Sequence, residues 1–422
     1  MSIASKSKPS QQERKIRQIP PPLKTSGVFD AVIVGGFGHA GLPLALSLAN
    51  KGKKICSYDI DQKAADLISR GEMPFLEEGG EQILQKVSRS GHLKLSLDPS
   101  VISQTEVVII IIGTPVDKHL NPLFEAIQSV MESIFSYLRD GQVIILRSTV
   151  YPGTTERLQH WLKENGKQVE MAFCPERIAE GHAIKELEEL PQIISSFSEH
   201  GLKRSRELFN CLTRDIILLE PIEAELAKLF TNVWRYLKFS VANQFFMIAN
   251  DQGADFFSIY KAMVSKYERA KDLPKPGFAA GPCLFKDTMQ LAAFNNNNFN
   301  LGHAAMLINE GLPSYVVNRL KLKYKLRKLT VGILGMAFKA NSDDSRESLS
   351  YKLRKILNFE ARKVLCSDVY ISAKGFVTQE ELIKQSDIVI LAAPHREYAN
   401  LKIPDGKVAV DIWDLWGNGC II

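Results

Sequence analysis

The chain has 422 residues, of which 45% are hydrophobic and 24% are charged, a composition typical of a soluble protein with two or three globular domains. Almost all of its net charge of +6 lies in the first 25 residues, so the rest of the chain is close to neutral and nucleic-acid binding is disfavoured. No run approaches the ~20 apolar residues of a membrane span, which argues against a membrane protein.

The first 27 residues combine basic side chains with many Ser, Gln and Pro, and they lack an apolar stretch. We expect a flexible basic tail and not a secretory signal. The cysteines are scattered without metal-ligand spacing: Cys56, Cys174, Cys211, Cys283, Cys366 and Cys420. His39, His182 and His395 also lack such spacing. These patterns predict reduced thiols, a cytoplasmic location and no metal site.

From Asp30 onward, short β-branched runs alternate with amphipathic segments. This alternation predicts a parallel sheet with helices on both faces, in a dinucleotide-binding domain over 28–220. The predicted strands are Ala31–Val34, Lys54–Tyr58, Val107–Ile112 and Val143–Arg147.

A glycine-rich turn follows the first predicted strand, with Gly36, Gly38 and Gly41 in the pattern Gly-x-Gly-x-x-Gly. Such glycines allow a tight turn, close approach of a pyrophosphate and helix–strand packing. Asp59 ends the second strand about 20 residues downstream, where a carboxylate accepts the ribose hydroxyls and repels a 2′-phosphate. The segment therefore predicts binding of NAD in preference to NADP. The residues concerned are Gly36, Phe37, Gly38, His39, Ala40, Gly41 and Asp59.

The pattern changes near Glu223. The stretch Glu223–Asn250 has no Gly or Pro and has apolar residues at helical spacing, which predicts one long helix. We expect it to open a helical middle and dimerisation domain over 221–325. Strand-like runs return in a domain over 326–422, at Leu329–Leu334, Lys363–Cys366, Ile388–Leu391 and Val408–Asp411. The expected fold class is α/β: two Rossmann-like parallel-sheet domains joined by a helical middle domain built on a long central helix.

A Gly- and Pro-rich loop over 276–283 leads into a predicted helix at Cys283. The positive end of a helix dipole lowers the pKa of a thiol and favours the thiolate. Lys286 and Asp287 lie at i+3 and i+4, so a helix would bring all three side chains to one face. A thiolate, a cation and a carboxylate together suit covalent catalysis on an aldehyde. On the local sequence alone, a cysteine that only packs in a loop is the favoured interpretation.

Seven motifs follow one another along the chain. They are Gly36-x-Gly38-x-x-Gly41, Gly113–Pro115, Ser148–Thr155, Cys174–Arg177, Glu225–Asn232, the Cys283 segment and Phe338–Ser348. In this order they resemble the UDP-glucose/GDP-mannose dehydrogenase family over residues 28–422. The resemblance implies an NAD-dependent UDP-sugar 6-dehydrogenase, acting on UDP-glucose or a UDP-N-acetylhexosamine. Such an enzyme oxidises the C6 alcohol to a uronic acid in a four-electron reaction through a thioester, and the catalytic interpretation of Cys283 then becomes the favoured one.

The resemblance also implies a role for the other catalytic residues. Lys228 and Asn232, at i and i+4 of the long helix, would stabilise the oxyanion at C6. Asp287 and Thr149 would position the water that takes the alcohol proton. Glu176 would be the base that hydrolyses the thioester. Without the resemblance, solvated polar side chains are the simpler interpretation for Lys228, Asn232 and Glu176.

Further binding residues are implied in the same way. The cofactor site would include Thr114, Pro115, Thr149, Glu180 and Arg346. The nucleotide-sugar site would include Glu176, Arg177, Lys228, Asn232, Arg269, Phe278, Gly281, Phe338 and Lys339. Lys339 and Arg346 would reach the site from the third domain, the UDP-binding one. Arg269 resembles an arginine that reaches the neighbouring subunit's substrate, although its spacing to Cys283 is unusual.

Two positions depart from the family pattern. The family usually has two glycines shortly before the cysteine, whereas here Ala280 precedes Gly281. The last strand usually leads into Asp-x-Arg or Asp-x-Asn, whereas here Trp413 follows Ile412. Because an indole cannot supply a positive charge, the sugar and the phosphate contacts are left open.

Two other classes of function deserve comparison. A one-step β-hydroxyacid-type NAD dehydrogenase needs neither a nucleophilic cysteine nor a second α/β domain, and this chain has both features. A non-catalytic NAD-binding scaffold predicts that a nucleophile, base or oxyanion partner is missing, yet Cys283, Glu176 and Lys228 are present. The expected partners are a UDP-sugar and further copies of the chain, as a homodimer or higher homo-oligomer, without nucleic acid or membrane.

Overall fold

The computed structural model describes residues 27–114, 124–278, 281, 283–417 and 422. The predicted basic tail, the cofactor residue Pro115, the departure at Ala280 and the thiol of Cys420 lie outside this range. No helix within it is long and apolar enough to cross a membrane.

The first domain is an eight-stranded sheet in the order β3-β2-β1-β4-β5-β6-β7-β8. Its strands are β1 (Ala31–Val34), β2 (Ile55–Tyr58), β3 (Leu93–Ser96), β4 (Val107–Ile110), β5 (Val143–Leu146), β6 (Glu170–Phe173), β7 (Gln192–Ser196) and β8 (Ile216–Leu218). Successive residues of β1 alternate between two cores, because Ala31 and Ile33 pack on one face while Val32 and Val34 pack on the other. Both faces are covered, which explains the continuous apolar runs.

Helices cover the two faces of this sheet. They are α1 (Gly41–Asn50), α2 (Gln62–Ser69), α3 (Gly80–Ser90), α4 (Phe124–Ile134), α5 (Thr154–Glu164), α6 (Ala183–Glu189) and α7 (Glu199–Phe209). The described strands pair in parallel except for β6 and β7, which run antiparallel. The sequence predicted only parallel pairing here. The short α6 connection brings the chain back beside β6 instead of crossing the sheet.

The middle of the chain is helical. It contains α8 (Pro221–Asp251), α9 (Phe256–Val264), α10 (Leu284–Phe294) and α11 (Asn300–Lys323). The 31-residue α8 begins with a proline at its first position and a capping box formed by Glu220 and Glu223, which satisfies N–H groups that a helix start leaves unpaired. Helices α10 and α11 pack against α8. The predicted long central helix is therefore present.

The third domain is a four-stranded parallel sheet in the order β10-β9-β11-β12. Its elements are β9 (Thr330–Leu334), α12 (Leu349–Glu360), β10 (Lys363–Ser367), α13 (Gln379–Gln385), β11 (Ile388–Leu391) and β12 (Val408–Asp411). The predicted class, two Rossmann-like domains joined by a helical middle, is confirmed. Because ligands of such sheets bind beyond the carboxyl ends of the strands, the loops that follow β1, β4, β5 and β9 define where to search for the site.

Candidate active site

Hydrogen bonds fix the path of the loop after β1 against the end of β2. The N–H groups of Gly35 and Gly36 both donate to the carbonyl oxygen of Tyr58, at 3.0 and 3.1 Å. The N–H of Phe37 donates to Asp59 Oδ2 at 3.0 Å. The predicted acid therefore lies beside the glycine loop, where it stays partly exposed.

The glycines of this loop have different surroundings. A Cβ on Gly36 would lie 2.8 Å from the Cβ of Ser57, and a Cβ on Gly41 would lie 2.1 Å from the carbonyl oxygen of Gly35. Packing within the domain therefore requires both glycines. Gly38 is exposed, and a Cβ there would come no nearer than 3.7 Å to the surrounding protein. The space at Gly38, at the start of α1, fits the pyrophosphate of a dinucleotide.

Glu225 joins the long helix α8 to the first domain. Its buried carboxylate accepts hydrogen bonds from the N–H of Gly153 at 2.6 Å and from the N–H of Thr155 at 2.9 Å. These N–H groups lie at the start of α5, where a helix has unpaired donors and favours an acid. Burial raises the pKa of Glu225, while its hydrogen bonds with Thr155 oppose the shift. The contact holds α8 so that Lys228 and Asn232 lie towards α10.

Lys228, Asn232 and Asp287 meet between α8 and α10. The amide nitrogen of Asn232 donates to Asp287 Oδ2 at 2.5 Å. Asp287 is 0% exposed, and its Oδ1 accepts no hydrogen bond within the described residues, although the ammonium of Lys286 lies 3.1 Å away as an ion-pair partner. A further lone pair of Oδ1 can accept a hydrogen bond from a water or a substrate hydroxyl. Burial lowers the pKa of Lys228, whereas the charges of Asp287 and Cys283 raise it. Within the described residues the Lys228 ammonium makes no ion pair, which leaves it to bind an oxyanion.

Cys283 is the residue that caps the start of α10, as predicted from the loop. Its side chain is exposed. The protein on the other sides of the thiol removes solvation from the thiolate and raises the pKa, as does Asp287, while Lys286 and Lys228 lower it. The net shift is upward, whereas the sequence predicted a lowered pKa. Lost solvation and the adjacent carboxylate outweigh the cations.

Lys286 links α10 to the first domain. Its Nζ donates to Thr114 Oγ1 at 3.1 Å and lies 3.1 Å from Asp287 Oδ1, at ion-pair distance. Thr114 Oγ1 in turn donates to the carbonyl oxygen of Thr149 at 2.7 Å. The predicted residues after β4 and β5 are therefore connected to Asp287 through a lysine. Thr149 itself makes a backbone contact here, on the far side of Lys286 from Asp287.

Glu176 is fixed in orientation by a buried arginine. Arg147, whose side chain is 0% exposed, forms an ion pair with Glu176 Oε2 and contacts Gln192 Oε1 at 3.3 Å. Glu176 Oε1 accepts the N–H groups of Arg177 at 2.8 Å and Ile178 at 3.2 Å. Both carboxylate oxygens are held, so the group has a single defined direction.

The third domain contacts the middle and the first domains through three side chains that the resemblance singled out. A Cβ on Gly281, which has a φ of +106°, would lie 2.5 Å from the ring of Phe338, so the two are in close contact. Lys339 Nζ donates to the carbonyl oxygen of Glu180. Arg346 Nη2 lies 3.2 Å from Glu180 Oε1. The loop after β9 therefore closes on the first domain at Glu180.

Charged groups surround Glu180. Burial raises the pKa of this carboxyl to about 7, with Arg346 lowering it and Asp344 raising it. Arg346 also forms a two-oxygen ion pair with Asp344, with Nε at 3.0 and 2.9 Å. Nearby, His39 stacks on Phe75 with ring centroids 4.2 Å apart, and burial lowers the pKa of the imidazole. These groups form the rim of the space beside the glycine loop.

Phe278, predicted in the substrate site, lies in the core. The residue is 2% exposed and packs with Phe246 and Leu312. Its predicted contact with substrate stays a prediction.

Two predicted arginines are turned away from this group of residues. Arg177 donates to the carbonyl oxygen of Pro191, and burial lowers its pKa. Arg269 is exposed on the turn Glu268–Ala270, with its guanidinium 5.9 Å from the ring of Tyr267. Their predicted contacts with substrate stay predictions.

Trp413, the second departure from the family pattern, packs against the loop that precedes Cys283. A Cβ on Gly277 would lie 2.2 Å from its indole ring. The indole Nε1 donates to the carbonyl oxygen of Ala392 at 3.2 Å, and Asn243 Oδ1 accepts the N–H of Gly277 at 2.8 Å. Trp413 thus supplies packing to the catalytic loop where an arginine would supply charge.

Sequence reasoning missed Arg147, Glu225 and Asp344. A charged residue directly after a buried apolar strand was a signal for Arg147, since such a charge requires a partner. Glu225 and Asp344 lie inside the quoted motifs, but their partners are remote in sequence and no local pattern indicates them. Within the described residues no cluster of metal-binding side chains is found.

Family models match the chain in all three parts. The NAD-binding domain of the UDP-glucose/GDP-mannose dehydrogenase family matches residues 30–213, its central domain residues 222–311 and its UDP-binding domain residues 332–418. The fold and the residues around Cys283 thus define an NAD-dependent dehydrogenase of nucleotide sugars. The chain belongs to the UDP-glucose/GDP-mannose dehydrogenase family, and its cofactor is NAD.

The similarity of this chain to named relatives extends over most of their length. The UDP-N-acetyl-D-mannosamine dehydrogenase of Methanocaldococcus jannaschii is 30% identical over 91% of this chain and 90% of its own. The NDP-N-acetyl-D-galactosaminuronic acid dehydrogenase of Ralstonia nicotianae is 25% identical over 92% and 96%. A solved UDP-D-ManNAc dehydrogenase of Pyrococcus horikoshii superposes with a TM-score of 0.84, at 25% identity over 91% of this chain and 96% of that one.

Proposed function

We propose that this protein oxidises the C6 alcohol of a UDP-sugar to a uronic acid in two successive oxidations, through a thioester on Cys283. The observation that carries the proposal is the meeting of an accessible thiol, a buried ammonium and a buried carboxylate at Cys283, Lys228 and Asp287. NAD, when bound, accepts a hydride in each oxidation. Among the relatives, UDP-N-acetyl-D-mannosamine is the most frequently named sugar, so it is the first substrate to test.

The first oxidation requires a base for the alcohol proton and a cation for the oxygen. Asp287 Oδ1, buried and without a hydrogen-bond partner in the described part of the chain, supports the role of holding a proton-accepting water. Lys228 and the amide of Asn232 would stabilise the C6 oxygen. Since a buried cation without a carboxylate partner is costly, its persistence here favours a function over a structural role.

The aldehyde would then form a C–S bond with Cys283 Sγ, and the thiol proton would pass to the oxygen to give a thiohemiacetal. Because the raised pKa keeps the thiol protonated, the attack depends on a nearby group that takes the proton. After the second oxidation, water would attack the thioester carbon. Glu176 lies near Lys228, close enough for its charge to raise that residue's pKa, and its orientation by Arg147 supports its role as the base.

An active-site test separates the two steps. In Glu176→Gln the amide keeps the shape but loses the base, which typically contributes about 10²–10⁴-fold, so we expect a burst of NADH followed by slow turnover. Intact-protein mass spectrometry during the stall should find the sugar nucleotide on the peptide that contains Cys283. Cys283→Ala should form no acid, while wild type should release two NADH for each acid.

The control is Cys211→Ala, which removes a partly buried thiol of the first domain and should leave turnover unchanged. Normal turnover by Glu176→Gln, or an adduct on a cysteine other than Cys283, would show that the assignment is wrong. A ratio of one NADH with an aldehyde as the end product would contradict the four-electron reaction.

The homo-oligomer expected from the sequence is proposed to form through α8. This helix exposes large apolar side chains at helical spacing: Ile222, Phe230, Trp234, Val241, Phe245 and Ile248. Phe230 is 52% exposed and Trp234 is 56% exposed, which is unfavourable in water for a continuous stripe. A second copy of the same helix is the partner that this stripe fits, because such interfaces are self-complementary.

A further inference from the structure

A buried acid and a buried histidine lie under the loop that follows β9, and neither has a role in the chemistry above. Asp368 directly follows β10, and His395 follows β11. Both side chains are 0% exposed, and His395 Nε2 lies 3.2 Å from Asp368 Oδ2. The strands β10 and β11 flank β9 in the sheet, and their carboxyl ends place the two residues on either side of the loop that follows β9. We call them the Asp368–His395 pair.

Asp368 holds the beginning of the loop. Its Oδ2 accepts the N–H groups of Met336 at 2.5 Å and Ala337 at 3.1 Å. Its Oδ1 accepts those of Tyr370 at 2.8 Å and Ile371 at 3.0 Å. Burial opposes the charge, but the hydrogen bond with His395 and these N–H groups lower the pKa of Asp368.

His395 holds the end of the same loop. Its Nδ1 lies 2.9 Å from the N–H of Asn341, which can only donate, so Nδ1 is the acceptor and carries no proton. Nε2–H then donates to Asp368, and the pair requires one neutral tautomer. The rings of Tyr370 and Tyr398 pack edge-on against the imidazole, with centroids 5.0 and 5.5 Å away, and fix its orientation.

Between these two fixed ends the loop carries Phe338 and Lys339. Phe338 lies against Gly281, two residues before Cys283, and Lys339 donates to the carbonyl oxygen of Glu180 in the first domain. Any change in the path of the loop therefore moves the side chains that face the catalytic cysteine and the first domain.

We propose that Asp368 and His395 are positioning residues for the nucleotide-sugar, acting through the loop 336–341 that they hold at both ends. The proposal rests on the proposed function, in which Phe338 and Lys339 bind that substrate. The sheet below has its own backbone pairing, β9 with β10 and β11, so loss of the histidine contact should loosen the loop while the strands persist. The expected consequence is weaker substrate binding with unchanged chemistry.

Two variants test the two hydrogen bonds of His395 separately. In His395→Gln the amide nitrogen can reach the position of Nε2 and still donate to Asp368, but the acceptor for Asn341 is lost. In His395→Asn the amide oxygen occupies the position of Nδ1 and keeps that acceptor. An unsatisfied buried donor costs about the free energy of a tenfold change in an equilibrium constant. We therefore expect His395→Gln to raise KM for the nucleotide-sugar about tenfold. Its kcat and its KM for NAD should stay within about twofold of the wild-type values. His395→Asn should restore much of the loss.

The exposed His160 on α5 provides the control, and His160→Gln should behave as wild type. Amide hydrogen exchange supplies a readout without substrate: Met336, Ala337 and Asn341 should exchange faster in His395→Gln, while β9 and β11 stay protected. If wild type oxidises no nucleotide-sugar, the proposed function fails, yet the exchange experiment still tests the loop. Unchanged exchange in the loop, or a loss in kcat with KM unchanged, would overturn the inference.

Discussion

Asp59 in the first domain and Asp368 in the third occupy equivalent places in their sheets. Each follows the strand beside the first strand of its domain, β2 or β10. Each carboxylate accepts backbone N–H groups from the loop after that first strand, from Phe37 in one domain and from Met336 and Ala337 in the other. The same topology therefore places an acid under the same loop twice.

The surroundings of the two acids differ. Asp59 is partly exposed beside Gly38, where the missing side chain leaves open space. Asp368 is fully enclosed, and both its oxygens are used by the backbone and by His395. One acid is left available to a ligand, while the other organises the loop whose side chains meet the ligand. Position in the fold does not decide the role of such an acid; its remaining access to solvent does.

Substitutions of the two acids should differ most in their effect on stability. Asp368→Ala leaves several buried N–H donors of the loop without an acceptor, at about 1–3 kcal/mol each, so it should lower the free energy of unfolding of the third domain by about 3–5 kcal/mol. Asp59→Ala, at a partly exposed site, should cost about 1 kcal/mol. Denaturation followed by tryptophan fluorescence measures both, because Trp161 lies on α5 of the first domain while Trp413 and Trp416 follow β12 of the third. Equal losses of unfolding free energy in the two variants would show that the two acids do not differ in this way.

The choice between NAD and NADP should depend on Asp59, the acid whose loss costs less stability. Asp59→Ser removes the carboxylate that favours a 2′-hydroxyl over a 2′-phosphate, and we expect the ratio of kcat/KM for NAD to that for NADP to fall about ten- to hundredfold. Asp66→Ala, which removes an exposed acid on α2 bonded to Gln62, is the matched control and should leave the ratio unchanged. An unaltered ratio in Asp59→Ser would place the acid away from the ribose.

A pH dependence is expected at Glu180, where the third domain meets the first. Burial raises its pKa from 4.5 to about 7, so the folded protein binds a proton that the unfolded chain releases. This contribution to stability is present below pH 4.5 and is lost as the pH rises through about 7. The Tm of wild type relative to Glu180→Gln should therefore fall over this interval. Glu189→Gln, at an exposed acid of α6, should show no such trend, and a constant difference for Glu180→Gln would refute the shift.

Local patterns of the sequence predict much of the fold. Buried apolar runs such as Ala31–Val34 and Ile388–Leu391 are strands with the predicted bounds, and Glu223–Asn250 lies within the long helix Pro221–Asp251. The predicted Val107–Ile112 ends at Ile110, because Ile111 and Ile112 already belong to the turn that leads to Thr114. Periodicity and turn residues act over a few positions, so a reader of one sequence can recognise them.

The order of motifs along the chain was also enough to indicate the family, NAD and the segment at Cys283. The chemical surroundings of the motif residues depend on other parts of the chain. The ion pair of Arg147 with Glu176, the burial of Phe278 and the raised pKa of Cys283 arise from residues that are distant in sequence. Likewise, His395 has no partner in its sequence neighbourhood, and it meets Asp368 only because β10 and β11 end on the two sides of β9. Desolvation and hydrogen-bond partners depend on which surfaces the folded chain brings together, and that is a property of the tertiary structure alone.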